Sequence, residues 1–210
     1  MELEEPLRGE GTPAILPPVL EGRRARLRPI QPGDYGFVSA LELDPEVHFR
    51  WRHRGATPSP ERLISSLWDG ALAVYLVEHR QSDRPVGIVV AYQADFRSGT
   101  CSVGLVSVPH LPAGPNPIFD GFALMIDYLF DVWPFRKLYA EVAGFNYPQF
   151  ASAVPLIFTE EGRLTEHDYY RGRYWDKHVL ALSRTHWTGV REWLMPTITM
   201  AAPPPSGQAS

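Results

Sequence analysis

Cysteine is nearly absent from this chain of 210 residues: Cys101 stands alone, with no partner for a disulfide and no second thiol for a metal site. A disulfide-stapled scaffold and a thiolate zinc centre are therefore excluded, and the reducing cytoplasm is the expected compartment. No metal is expected. Lysine is almost as scarce, with two against 18 arginines, and 20 basic residues against 24 acidic ones leave a net charge of -4. That balance argues against nonspecific nucleic-acid binding, which Lys and Arg supply by neutralising phosphates. Long apolar runs are missing too, since the most apolar stretch, residues 118–130, is broken by Asp120 and Asp127. No membrane span is expected. The opening run MELEE is acidic where a secretory signal would be basic.

What is present is enough for one core. Hydrophobic residues make up 44% and aromatic residues 12% of the chain, against 21% charged, a composition that folds. Its unusual feature is 21 prolines, about twice the usual share of roughly 5%. Many sit at the ends. Residues 1–18 read as a flexible arm of Pro, Gly and acidic residues, 19–188 as the folded domain, and 189–210 as a C-terminal extension with a disordered, proline-rich tail. Neither end is expected to carry chemistry.

Within the domain, residues 24–28 alternate as a strand, and Asp34 offers an N-cap for a helix over 35–43. Ser59 and Pro60 open a second helix, whose Leu63, Ile64 and Leu67 share a face. Three strand-like runs follow at 71–78, 85–93 and 100–108, as in an antiparallel meander. Asn116 and Pro117 start a long helix, with apolar residues at helical spacing from Ile118 to Trp133, and Pro134 closes it. A strand at 138–142, a proline-interrupted helical segment at 148–158 and strand material within 169–183 complete the order β-α-α-β-β-β-α-β-α-β-β. This predicts an α/β domain around one mixed sheet.

Several runs carry a resemblance: LEGRRARLRP at 20–29 with Gly33 and Asp34, DPEV at 44–47, DYLF at 127–130, LYAEV at 138–142, Asn146, FTEEGRL at 158–164, YRGRY at 170–174 and LSRTHW at 182–187. In these the chain resembles the GNAT (GCN5-related N-acetyltransferase) superfamily, in particular the RimJ/RimL-like branch. The resemblance implies the GNAT acyltransferase fold, acetyl-CoA or another acyl-CoA as donor, and transfer of the acyl group to the amine of a small molecule or a protein N-terminus. In that family a glycine-rich loop ahead of a helix binds the coenzyme A pyrophosphate through backbone N–H groups. The matching stretch here, PHLPAGPNPIF at 109–119, keeps Gly114 but has no Arg, no Lys and no second glycine. Pro112, Pro115 and Pro117 contribute no N–H. The loop is expected to hold coenzyme A weakly. The following segment departs from the family as well: Gln149, Ala153 and Ile157 stand where relatives carry Ser, Tyr and Gly, and Pro155 is expected to interrupt the helix.

The resemblance implies donor contacts at Val106 and Val108, at Gly114 and Asn116, and at Asn146. Asn146 in GFNYP is equally plain turn chemistry. His110 and Glu141 are the candidate bases. His110 has a ring suited to proton transfer near neutral pH and reads otherwise as an exposed loop histidine; Glu141, beside Tyr139 on one strand face, reads otherwise as a solvated carboxylate. The run HFRWRHR at 48–54 falls where relatives cover the acceptor, so that Arg50, Trp51, Arg52 and Arg54 are candidates to grip an anionic acceptor. RNA stacking or an exposed charged loop with Trp51 tucked in are the alternatives. Cys101 reads as a small buried apolar residue.

Two functional readings follow. One is an N-acyltransferase with a divergent donor site. The other is a GNAT-fold ligand-binding or protein-interaction module that has lost coenzyme A and with it catalysis, with a homodimer as its expected state.

Overall fold

The computed structural model describes residues 18–111, 116–151 and 154–200. Eight strands form one sheet in the order β1-β2-β3-β4-β5-β6-β8-β7. They are β1 (Leu20–Glu21), β2 (Ala25–Pro29), β3 (Ala71–His79), β4 (Arg84–Asp95), β5 (Thr100–Ser107), β6 (Lys137–Ala143), β7 (Thr159–Tyr170) and β8 (Arg173–Ser183). The helices are α1 (Tyr35–Leu43), α2 (Pro60–Ser65), α3 (Pro117–Val132), α4 (Val154–Ile157) and α5 (Arg184–Ile198). The mixed α/β sheet expected from the sequence is found, with two additions at the ends: the short β1, and α5.

Alternation along the strands builds two cores. Tyr75 and Val77 of β3 and Val89 of β4 face α3 and α5, where they pack with Ile118, Met125, Ile126, Leu129 and Trp187. Val74 and Leu76 of β3, with Ile88 and Val90 of β4, face the other way onto Val38, Leu41, Leu63 and Leu67 of the α1–α2 side. Strand period and helix period thus agree at every layer. Cys101 is buried among the first set.

The sheet is antiparallel throughout except at β5–β6, whose parallel register runs only over Thr100–Ser102 against Lys137–Tyr139. Beyond Ser102 the two strands have no ladder between them. Strand β6 instead pairs along its full length with β8, from Lys137 against Ser183 to Ala143 against Lys177. The sheet therefore opens into a wedge between the C-terminal halves of β5 and β6.

Local chemistry fixes the elements around the wedge. The Asn116 side chain accepts from the Ile118 N–H at 3.0 Å and Pro117 occupies the first helical position of α3. Pro155 stands in the first turn of the four-residue α4, where an N–H is unused anyway, and not in the interior of a longer helix as expected. Arg184 donates to the carbonyls of Phe135 (2.7 Å), Phe130 (2.5 Å) and Trp133 (2.6 Å). It thereby closes the C-terminal turn of α3. Helix α5 sends Val190, Met195 and Ile198 into the core, and Thr199 bridges back to Gly22.

Among the described residues no helix is long and apolar enough to cross a membrane.

Candidate functional site

A cavity of about 1110 Å³ occupies the wedge and the space beneath residues 46–54. The expected site residues Arg50, Trp51, Arg52, Arg54, Val106, Val108, His110, Asn116, Glu141 and Asn146 all line it. Gly114 lies outside the described residues.

Strand β5 forms one wall. The Val108 N–H donates to Val86 O at 2.9 Å, and in the same antiparallel register Val106 opposes Ile88. By strand alternation the amides of Val106 and Val108 are thus committed to β4, and those of Leu105 and Ser107 point into the wedge with no strand partner. The strand amides left open beside Val106 and Val108 are those of their neighbours.

On the opposite wall, Asn146 spends its backbone N–H on Ala143 O at 2.8 Å, as a turn residue should. Its buried side-chain Oδ1 accepts nothing. The turn reading accounts for its backbone N–H, and its Oδ1 is left open. Phe119 and Phe150 meet edge to face across the mouth, with centroids 6.1 Å apart.

The run 48–54 is half-buried apart from Phe49 and Arg54, which are exposed. Glu42, fully buried, accepts from Trp51 Nε1 at 3.1 Å and pairs with His53 Nε2 at 2.9 Å. Arg52 donates to Ser66 O, and burial lowers its affinity for a proton. Arg52 is therefore spent on the scaffold and Trp51 packs against β5, its ring 3.5 Å from where a Cβ on Gly104 would stand. Arg50 and Arg54 remain for the cavity. Arg50 lies over the Tyr170 ring at 6.0 Å, and its buried Nε has no acceptor.

Strand β7 contributes a residue that the sequence reading missed. Every position of β7 is exposed or half-buried except Asp168, which is 3% exposed. A register shift between Leu164 and Asp168 accompanies this inward turn. Asp168 Oδ1 accepts from Arg54 Nη1 at 2.5 Å and lies 3.9 Å from Lys177 Nζ, whereas Oδ2 is buried and unpartnered. Lys177 also donates to Glu141 Oε2 at 3.1 Å. Tyr92 faces the same cavity, and burial, followed by the Glu141 charge, holds its phenol above the usual range. An aspartate in a strand interior and one of only two lysines were the available signals. His110 sits at the rim in a left-handed conformation, φ 57°, with its ring exposed and 3.1 Å from Glu46.

Among the described residues, the buried side-chain polar atoms without a partner are Arg50 Nε, Asn146 Oδ1 and Asp168 Oδ2, and all three residues line this cavity. Such atoms are costly unless water or a ligand satisfies them. No group of three His, Cys, Asp or Glu residues among the described ones is placed to hold a metal ion.

An acyl-CoA donor meets an uneven surface here. Along the wedge Leu105 and Ser107 offer N–H groups and Asn146 Oδ1 offers an acceptor, the complements of the donor's amide-bearing arm. Its pyrophosphate finds little at the N-terminus of α3. Pro117 has no N–H, the Ile118 N–H is taken by the Asn116 side chain, and those of Phe119 and Asp120 go to Asn116 O at 3.2 and 3.4 Å. Asp120, held by Arg24 at 2.7 and 2.8 Å, already balances the helix dipole.

No family model and no curated protein matches the chain. Solved structures do. The spermidine N-acetyltransferase of Vibrio cholerae, in complex with CoA and spermine, is similar at 22% identity over 79% of this chain and 98% of that one, with a TM-score of 0.67. A GCN5-related N-acetyltransferase from Brucella melitensis is similar at 22% identity over 83% and 82%, TM-score 0.68. A GNAT-family acetyltransferase from Bacillus anthracis is similar at 16% over 79% and 98%, TM-score 0.64. At these identities the likeness establishes the fold alone, and that fold is the GNAT acyltransferase fold.

Proposed function

We propose that the protein is an N-acyltransferase that passes an acyl group from a thioester in the β5–β6 wedge to an amine held beneath residues 48–54. The observation that carries this is the cavity itself, open between the strands and lined by three buried polar atoms that lack partners. The V. cholerae neighbour was solved with CoA and the amine spermine, which supports an amine acceptor. The RimJ/RimL-like branch belongs to the same proposal, supported by the runs LEGRRARLRP and LSRTHW.

When bound, the thioester supplies an activated acyl carbonyl. The Leu105 and Ser107 amides bind the donor's amide-bearing arm as an added strand edge, and Asn146 Oδ1 accepts one of its N–H groups. Asp168 Oδ2 receives an N–H of the acceptor and orients the nitrogen. Glu141, steadied by Lys177, takes the proton that the amine must lose, directly or through one water. The N–C bond forms as the C–S bond breaks, and the thiolate takes a proton from water. His110, tied to Glu46 at the rim, serves as the second candidate base.

The spent N–H groups of α3 favour a donor gripped by its arm more than by its pyrophosphate. They also support the second reading, a module that has given up coenzyme A. Calorimetric titration with acetyl-CoA and with acetyl-pantetheine tests the choice. The proposal expects binding of both within about tenfold of each other, and no heat from either at millimolar ligand overturns it in favour of the second reading.

A further inference from the structure

Two of the unpartnered atoms have opposite needs and stand on two elements that touch, the 48–54 segment and β7. Arg50 Nε is a buried, positively charged donor that lacks an acceptor; Asp168 Oδ2 is a buried, negatively charged acceptor that lacks a donor. The 48–54 segment brings both to β7, through Arg54 on Asp168 and through Arg50 over Tyr170, two residues further along the strand.

We infer that the acceptor is a zwitterionic amine of the α-amino-acid type, its amine on Asp168 Oδ2 and its carboxylate on Arg50 Nε. This rests on the acyl-transfer reading and names the substrate class of that site. An ammonium group alone satisfies Asp168 and leaves Arg50 orphaned; a carboxylate alone does the reverse. A molecule bearing both groups on one carbon offers a partner to each, and each charged hydrogen bond left unmade in a buried site costs about tenfold or more in affinity. A polyamine carries no carboxylate, so it satisfies Asp168 and leaves Arg50 Nε without an acceptor.

The rest of the acceptor has an apolar wall to lie on. Phe49 and Phe145 line the cavity, and Phe145 lies 4.3 Å from the Tyr170 ring that also carries Arg50. A large apolar or aromatic side chain is the matching substituent. Arg52 is tied to Ser66 O and Arg54 to Asp168, whereas Arg50 carries the buried donor of this run that has no acceptor among the described residues.

The test is calorimetric titration of the full chain, without any thioester, with phenylalanine, phenylalanine methyl ester and spermidine. Phenylalanine is expected to bind, and the ester and spermidine to bind at least tenfold more weakly. In Arg50→Gln the preference for phenylalanine over its ester disappears, because the carboxylate has lost its donor. In Asp168→Asn both weaken together. The Arg50 side chain makes no hydrogen bond among the described residues and Asn matches Asp in shape, so thermal melting of both variants is expected to stay close to that of the unaltered chain.

An ester or spermidine that binds as tightly as phenylalanine overturns the inference, as does the absence of binding by phenylalanine. The acyl-transfer reading fails separately. A protein that binds phenylalanine but forms no amide from any thioester retains this inference and loses that reading, while one that acylates spermidine alone does the opposite.

Discussion

Arg54 Nη1 donates to Asp168 Oδ1 at 2.5 Å, joining two residues 114 positions apart and tying the segment beneath α1 to the far strand of the sheet. The contact divides the carboxylate: one oxygen is held by the fold and the other is left for a ligand. The pair is lopsided, since Asp168 is 3% exposed and Arg54 62%. Its worth comes from keeping the aspartate from being a lone buried charge, not from the ion pair as such.

Arg54→Gln therefore costs less than breaking a wholly buried pair. Stability is expected to fall by about 1–2 kcal/mol, seen as a lowered thermal midpoint, with weaker acceptor binding alongside. An unchanged midpoint would show that Lys177 alone satisfies Asp168.

Acid lability should have a source far from the cavity. Asp34 accepts from two Arg28 nitrogens at 2.6 and 2.8 Å, and this guanidinium holds its carboxyl below the ordinary range, helped by the Gln31 backbone N–H. Because the folded value is depressed, the unfolded chain takes up this proton first. The contribution is complete above about pH 5 and is lost as pH falls through the folded value. Urea melts of the unaltered chain and Asp34→Asn are expected to differ at pH 6 and to converge toward pH 3. A constant difference over that range would contradict the assignment.

Arg184 is the C-terminal lock of α3. Replacing it by Met leaves three carbonyls without their donors while keeping much of the stem's packing on Phe130. A loss of about 3 kcal/mol is expected from denaturant melts, and Arg184→Lys, a point donor in place of a fork, is expected to recover only part of it.

Much of this was legible in the sequence because its signals were local. Asn116-Pro117 and Ser59-Pro60 each fix a cap and a first turn within three residues, and the structure uses both as helix starts. Helix α5 was hidden because Pro196 and Gly189 interrupt its pattern; its apolar residues count only once the face of α3 is there to receive them. The fold was foreseen through the resemblance, but not all of the residues that line its wedge were. Asp168 sits in a run of exposed residues, and only the register shift of β7 turns it inward, which no spacing in TEHDYY announces. Arg52 and Arg54 look alike in HFRWRHR, yet one is spent on Ser66 and the other on Asp168.

Acyl transfer in the wedge turns a free amine into an amide. Mass spectrometry of phenylalanine incubated with the protein and either acetyl-CoA or acetyl-pantetheine measures it directly. The account predicts the N-acetyl product from both donors, formed about a hundredfold more slowly by Glu141→Gln. No amide from either donor, or an unchanged rate in that variant, would contradict it.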